Sequence, residues 1–159
     1  PGENIIQESM QVNQERKYDE LQLQLAKREG SVIIFVRTKH GADKLAAKLT
    51  GDEHHAEALH GGLRQRQRDK VIGMFRKSNI RIMVATDVAA RGLDVPHIEH
   101  VINYDLPQVA EDYIHRIGRT ARAGAKGHSV SFISPSERGL WRDIERMLDP
   151  NVKNPEEGR

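Results

Sequence analysis

Short apolar runs alternating with segments of helical spacing set the rhythm of this chain. After Gly30, Val32-Ile-Ile-Phe-Val36 is β-branched and continuously apolar, the pattern of a strand buried on both faces, and it favours a parallel sheet. Runs at Ala56 to Leu59, Ile80 to Ala85, Val101 to Asn103 and His128 to Ile133 predict four further strands. Between them, a helix from about Gly41 to Leu49, capped by Thr38, places Ala42, Leu45, Ala46 and Leu49 on one face. A basic helix over Gln65 to Lys77 turns Val71, Met74 and Phe75 inward, a short helix follows Asp87, and two more run from about Ala110 to Ile117 and from Arg138 to Leu148. Ahead of the first strand, Lys17 to Arg28 carries Tyr18, Leu21 and Leu25 at helical spacing. Ile5 to Val12 alternates loosely, which predicts an extended segment. About five strands alternating with helices predict an α/β doubly wound architecture.

In such sheets ligands bind outside the carboxyl ends of the strands. Polar clusters sit at those ends: Arg37-Thr-Lys39, His60-Gly-Gly62, Thr86-Asp87 and Asp105. The organisation expected is an extended or linker segment over 1–16, one domain over 17–150 and a tail over 151–159. A start at Pro1 and a polar ending at Asn154-Pro-Glu-Glu-Gly-Arg159 suggest a piece of something longer.

Composition narrows the class. The 159 residues, 37% of them hydrophobic, make about one domain. With 25 basic and 23 acidic residues, the net charge of +2 supplies no strong field, so any case for nucleic acid rests on where the charges sit. The chain has no cysteine, which excludes disulfides and thiolate metal sites and suits a reducing, cytoplasmic setting. No apolar run approaches a membrane span, and Pro1 to Glu20 has no signal-peptide core.

The densest chemistry is in His115-Arg-Ile-Gly-Arg-Thr-Ala-Arg122. Continued as a helix at about 100° per residue, it places His115, Arg119 and Arg122 on one side, Ile114, Ile117 and Ala121 on another, and Arg116 between them. Guanidiniums stay charged and offer a planar fork to phosphate oxygens. Thr86 offers a hydroxyl at a strand end, Gly92 permits close backbone approach, and Asp94 is able to accept from ribose hydroxyls. Taken singly, Thr86 or Asp87 reads more readily as a helix cap and Gly92 as a turn residue; only the whole string is specific.

Together these strings resemble the C-terminal, RecA-like domain of DEAD-box ATP-dependent RNA helicases over roughly Ser31 to Leu148. His115 to Arg122 matches that family's motif VI at every fixed position. Ala85-Thr-Asp87-Val-Ala-Ala-Arg91-Gly92-Leu-Asp94 resembles motif V, Val32 to Lys39 motif IV, and Gln65-Arg-Gln-Arg68 the adjacent Q-x-x-R element. Val32 to Lys39 and Asp143-Ile-Glu-Arg146 look most like bacterial cold-shock members.

The resemblance implies a RecA-like three-layer fold with a mainly parallel sheet. It assigns Arg119 and Arg122 as arginine fingers on ATP, with His115 helping to couple hydrolysis to RNA. It gives Gly92 and Asp94 to the nucleotide, Thr38, Gln65, Arg68 and Thr86 to the RNA backbone, and Arg91 and Arg116 to coupling. Many family members have His-Gly-Asp where this chain has His60-Gly61-Gly62.

Neither a G-x-x-x-x-G-K-[ST] loop nor a D-E-A-D string occurs. The resemblance places both on a preceding N-terminal RecA-like domain, which would bind most of the ATP and its Mg2+. The chain then supplies one wall of a two-domain cleft, and alone is expected to be inactive. Two other readings remain open: the C-terminal domain of a superfamily 2 DNA helicase, and a non-catalytic module that binds RNA or protein. His54, His55 and His60 lack the accompanying ligand pattern of a metal site. Trp141 reads as a packing residue of the last helix, and Phe35 as a core residue with no need to stack on anything.

Overall fold

The structure, a computed structural model, describes residues 4–93, 95, 98–120 and 126–149. The strands are β1 (Ile5–Gln11), β2 (Val32–Phe35), β3 (Ala56–Leu59), β4 (Ile82–Ala85), β5 (His100–Asn103) and β6 (Gly127–Ile133). The helices are α1 (Lys17–Ala26), α2 (Lys39–Gly51), α3 (Gln65–Arg76), α4 (Asp87–Ala90), α5 (Ala110–Ile117) and α6 (Arg138–Leu148). The described strands form one sheet in the order β1-β6-β5-β2-β4-β3, and every neighbouring pair is parallel. This is the α/β architecture expected from the alternation of elements, in the RecA-like three-layer form that the resemblance implies.

The continuous apolar run of β2 has a direct cause. The strand lies between β4 and β5, with Ile34 opposite both Val84 and Ile102. Because successive side chains point to opposite faces, Val32 and Ile34 pack with Leu21 and Leu25 of α1 and Leu45 and Leu49 of α2. Ile33 and Phe35 pack instead with Val71 and Phe75 of α3 and with Ala89 and Ala90 of α4. Ile133 joins Tyr113, Ile117 and Ile144 in a third cluster, one residue along β6 from Phe132, so α5 and α6 lie on the α3 side. The result is three layers, with α1 and α2 on one side of the sheet and α3 to α6 on the other.

The extended stretch expected at Ile5–Val12 is β1, a full strand that raises the strand number from five to six. Ile5 pairs with Gly127 and Gln11 with Ile133. Ile80 and Arg81, expected in a strand, precede β4. Arg81 instead donates from Nε to the Gly30 carbonyl at 2.9 Å and from Nη1 to the Leu25 carbonyl at 3.3 Å, collecting acceptors at the end of α1. Among the described residues no helix is long and apolar enough to cross a membrane.

Candidate functional site

The carboxyl ends of β2, β3, β4 and β5 carry the polar groups singled out in the sequence. Thr38 follows β2 and caps α2, its Oγ1 accepting from the Gly41 N–H at 2.9 Å. Gln65 opens α3 beyond β3 and donates to Asp69 Oδ1 at 2.8 Å. One turn on, Arg68 reaches across to α4 and donates to the Ala89 carbonyl at 3.3 Å. Thr86 stands at the N-cap of α4, yet its side chain makes no capping bond. The plain capping role considered for it is therefore not the one it plays. These four residues line one edge of the molecule over three adjacent strands.

Arg116 occupies the centre of the neighbouring edge, and its place differs from the one expected. Helical spacing sets it between two faces; it is 1% exposed, a fully buried guanidinium. Nε and Nη2 donate to Asp87 Oδ1 and Oδ2 at 2.6 and 2.9 Å, a two-bond fork. Nη1 donates to the Asp105 carbonyl at 2.6 Å and to Asn103 Oδ1 at 3.3 Å. Asn103 in turn donates to Ser131 Oγ at 3.0 Å. The guanidinium carbon lies 5.0 Å from the centre of the Phe35 ring, so Phe35 does stack, under a cation. A charge tolerates such burial only when its donors are matched, and here three residues from two chain segments supply the acceptors.

Helix α5 ends at Ile117, as its spacing predicts, so the helical continuation used to place Arg119 beside His115 does not hold. Bonds tighten there: Arg119 N–H donates to the Arg116 carbonyl at 3.1 Å and Thr120 N–H to the Ile117 carbonyl at 3.1 Å, the i to i+3 spacing of a turn. A Cβ on Gly118 would lie 3.2 Å from the Ile114 carbonyl, which favours glycine at this close turn. The stripe of His115, Arg119 and Arg122 on one helical side is thus corrected. His115 is on the helix, Arg119 on the turn beyond it, and Arg122 lies outside the described residues, as does Asp94. Arg119 is half-buried and donates to the Leu93 carbonyl at 3.4 Å.

His115 and Arg91 meet on a carboxylate that sequence reasoning missed. Asp112 Oδ1 is 3.3 Å from His115 Nδ1 and 3.6 Å from Arg91 Nη2. The i, i+3 spacing of Asp112 and His115 was the available signal. Arg91, Asp112, His115, Arg116 and Arg119 line a single shallow cleft with Asp87. Gly92, next to it, has φ +72°, and a Cβ there would meet nothing within 4 Å. Backbone conformation rather than space calls for glycine at this position.

The other residues considered have local partners. His60 Nε2 lies 2.8 Å from Asp43 Oδ1 and His60 Nδ1 accepts from the Gly62 N–H at 3.0 Å. His54 Nε2 lies 2.7 Å from Gln22 Oε1. Trp141 packs edge-on against Tyr113 at 5.8 Å, the packing role expected of it. Among the described residues no group of three or more His, Cys, Asp or Glu side chains is arranged to hold a metal.

Comparison with known proteins bears on what this edge does. The family described as helicase conserved C-terminal domain matches residues 15–124. The DEAD-box ATP-dependent RNA helicases CshA of Bacillus cereus and Bacillus anthracis are each 44% identical over 144 residues, 90% of this chain. The chain spans 27% of the length of these relatives. A DEAD box protein from the hyperthermophile Methanococcus jannaschii superposes with a TM-score of 0.87 at 44% identity, over 92% of this chain and 40% of that one. The C-terminal domain of the DEAD-box protein Dbp5 superposes with a TM-score of 0.85 at 35% identity, over 96% of this chain and 89% of that one.

Proposed function

Since the chain belongs to the helicase conserved C-terminal domain family, on its DEAD-box branch, we propose that it is the second RecA-like domain of an ATP-dependent RNA helicase. In this reading it forms one wall of a cleft whose other wall is the N-terminal RecA-like domain of the same protein. In the same reading, that domain holds most of the ATP and its Mg2+. The observation that carries the reading is the adjacency of two polar edges. Thr38, Gln65, Arg68 and Thr86 stand at the ends of β2, β3 and β4, beside the Arg91, His115, Arg116 and Arg119 cleft.

The RNA edge suits a sugar-phosphate backbone. Hydroxyl, amide and guanidinium groups at strand ends grip phosphates without reading bases. Thr38 Oγ1 accepts from Gly41 N–H, so its own proton is directed elsewhere and is available to a phosphate oxygen. When ATP and single-stranded RNA draw the two domains together, Arg119 and Arg122 meet the γ-phosphate, where fingers of this kind contribute on the order of 10³ to 10⁵ in rate. Gly92 and Asp94 serve the nucleotide site. Arg116, held rigidly between Asp87 and Asp105, transmits position between the edges, while Asp112 holds His115 and Arg91 together. Reopening after hydrolysis releases the strand and leaves a short duplex separated. We place this work in the cytosol.

The test is steady-state ATP hydrolysis by the full-length protein and by this chain alone, each with and without single-stranded RNA. Turnover is expected only in the full-length protein, stimulated by RNA. RNA-stimulated turnover by the isolated chain contradicts the one-wall assignment, and stimulation by single-stranded DNA but not RNA moves the assignment to a DNA helicase.

A further inference from the structure

A second buried ionic cluster lies at the same pole of the sheet, and no motif accounts for it. Glu137, in the turn after β6, is 4% exposed and Lys17, at the start of α1, is 0% exposed. The Glu137 carboxylate receives five donors from four segments of the chain. Oε1 accepts from Lys17 Nζ at 2.9 Å, Ser134 Oγ at 2.9 Å and Ser134 N–H at 3.2 Å. Oε2 accepts from Leu106 N–H at 2.8 Å and from Arg37 Nη2 at 3.3 Å. Burial by itself would raise this carboxyl; the Lys17 bond, the Leu106 N–H, the Lys17 charge and the Ser134 N–H overcome it and hold the group below its ordinary range.

The cluster continues through Asp105. Its Oδ2 accepts from the Arg37 N–H at 2.9 Å and its Oδ1 lies 3.4 Å from Lys17 Nζ. Its backbone carbonyl is the one that accepts from Arg116. Arg37 is therefore fixed twice, by its backbone on Asp105 and by its side chain on Glu137 and the Leu106 carbonyl. The next residue is Thr38. A hydroxyl that must meet a phosphate is only as well placed as the turn that carries it; α2 fixes this turn beyond Thr38, and the Glu137–Asp105 cluster fixes it on the Arg37 side.

We infer that Glu137 is a positioning residue for RNA, fixing the Arg37–Thr38 turn in the attitude that presents Thr38 to the backbone and joining it through Asp105 to Arg116. This rests on the reading of Thr38 as an RNA-backbone residue. The alternative is a purely structural pin, and buried ion pairs are by themselves weak evidence for anything but the cost of breaking them. The two differ in what they do to RNA binding.

The experiment uses the full-length protein, with turnover measured against a single-stranded oligoribonucleotide at several salt concentrations and unfolding followed in urea. Glu137→Gln is expected to raise KM for RNA about tenfold, the size of one charge-assisted hydrogen bond, with kcat at saturating RNA near the parent value. Lys17→Met also lowers the unfolding midpoint, yet leaves the Glu137 bonds to Arg37 and Leu106; its KM for RNA should stay near the parent value. Arg37→Met removes only the outer tether from a side chain 40% exposed, and serves if the buried variants do not fold. It should raise KM with the salt slope unchanged, whereas loss of a direct phosphate ligand would flatten that slope by about 0.7. A parent-like KM in folded Glu137→Gln overturns the inference, as does an equal rise in Lys17→Met or a flattened slope in Arg37→Met. Thr38→Val is the control for the underlying reading, because a parent-like KM there removes Thr38 from the RNA site whatever Glu137 does.

Discussion

Arg116 and Asp87, from two helices that pack on the same face of the sheet, meet in a two-bond fork at 2.6 and 2.9 Å with the guanidinium sealed from solvent. The pair joins the segment after β4 to the end of α5, so each edge of the candidate site depends on it. Arg116→Ala leaves Asp87, Asp105 and Asn103 without their shared donor and should cost about 3 to 5 kcal/mol in urea unfolding of the isolated chain. Arg116→Lys keeps the charge but not the fork or the ring stacking, and should recover only part of that loss. An unchanged midpoint for Arg116→Ala would show that the fork carries little stability.

Arg119 projects from the turn beyond α5 rather than from the helix, and it carries a different expectation. In the full-length protein, Arg119→Ala and Arg122→Ala should each lower turnover at least about a hundredfold while RNA affinity stays largely intact. Turnover close to that of the parent protein would remove the residue concerned from the nucleotide site.

At Thr38 the cap and the RNA role separate. Thr38→Asp keeps an acceptor for the Gly41 N–H, so thermal stability should change little, whereas Thr38→Ala should lose about 1 kcal/mol. Both should bind single-stranded RNA more weakly in the full-length protein, and the carboxylate more so, because it repels phosphate. RNA affinity that follows stability instead of charge would restrict Thr38 to capping.

Acid should destabilise the chain in two stages. His100 sits below its ordinary value of 6.5, chiefly through burial, with the Arg28 and His128 charges adding to it and the Glu29 carbonyl and Glu99 opposing. The unfolded chain takes up this proton more readily, so the His100 contribution is complete above about pH 6.5 and is lost as pH falls below it. Glu137, held below 4.5, contributes stability above that value that disappears as pH falls through its lower folded value. Urea midpoints across this range should show both declines, and His100→Gln should remove the first. A first decline that persists in that variant assigns it to another group.

Much of this molecule can be read along the chain because its elements are local. Ala56–Leu59 and Arg138–Leu148 fall where their apolar spacing puts them. The end of α5 also falls where its spacing puts it, but the place of Arg119 did not show, since it lies on a turn after Ile117 instead of on a continued helix. Gly118 was the signal that could have marked it. Arg116 and Glu137 were illegible for another reason. Their partners lie as far as 29 and 120 residues away, and a basic or acidic side chain within an amphipathic stretch reads as solvated until those partners are known. The pairing of β1 was hidden similarly, because an edge strand with one buried residue, Ile5, alternates too weakly to announce itself.

That edge strand bears on how the chain acquires its shape. β1 is the first of the described elements to be synthesised, yet its sheet partner is β6, and the register begins with Ile5 against Gly127. Parallel pairings between distant segments close slowly because the intervening loop must be ordered first. A nascent chain that has not yet emerged past Ile133 therefore carries β1 without its neighbour. Completion of the sheet is a late event in synthesis, set by the arrival of the last strand.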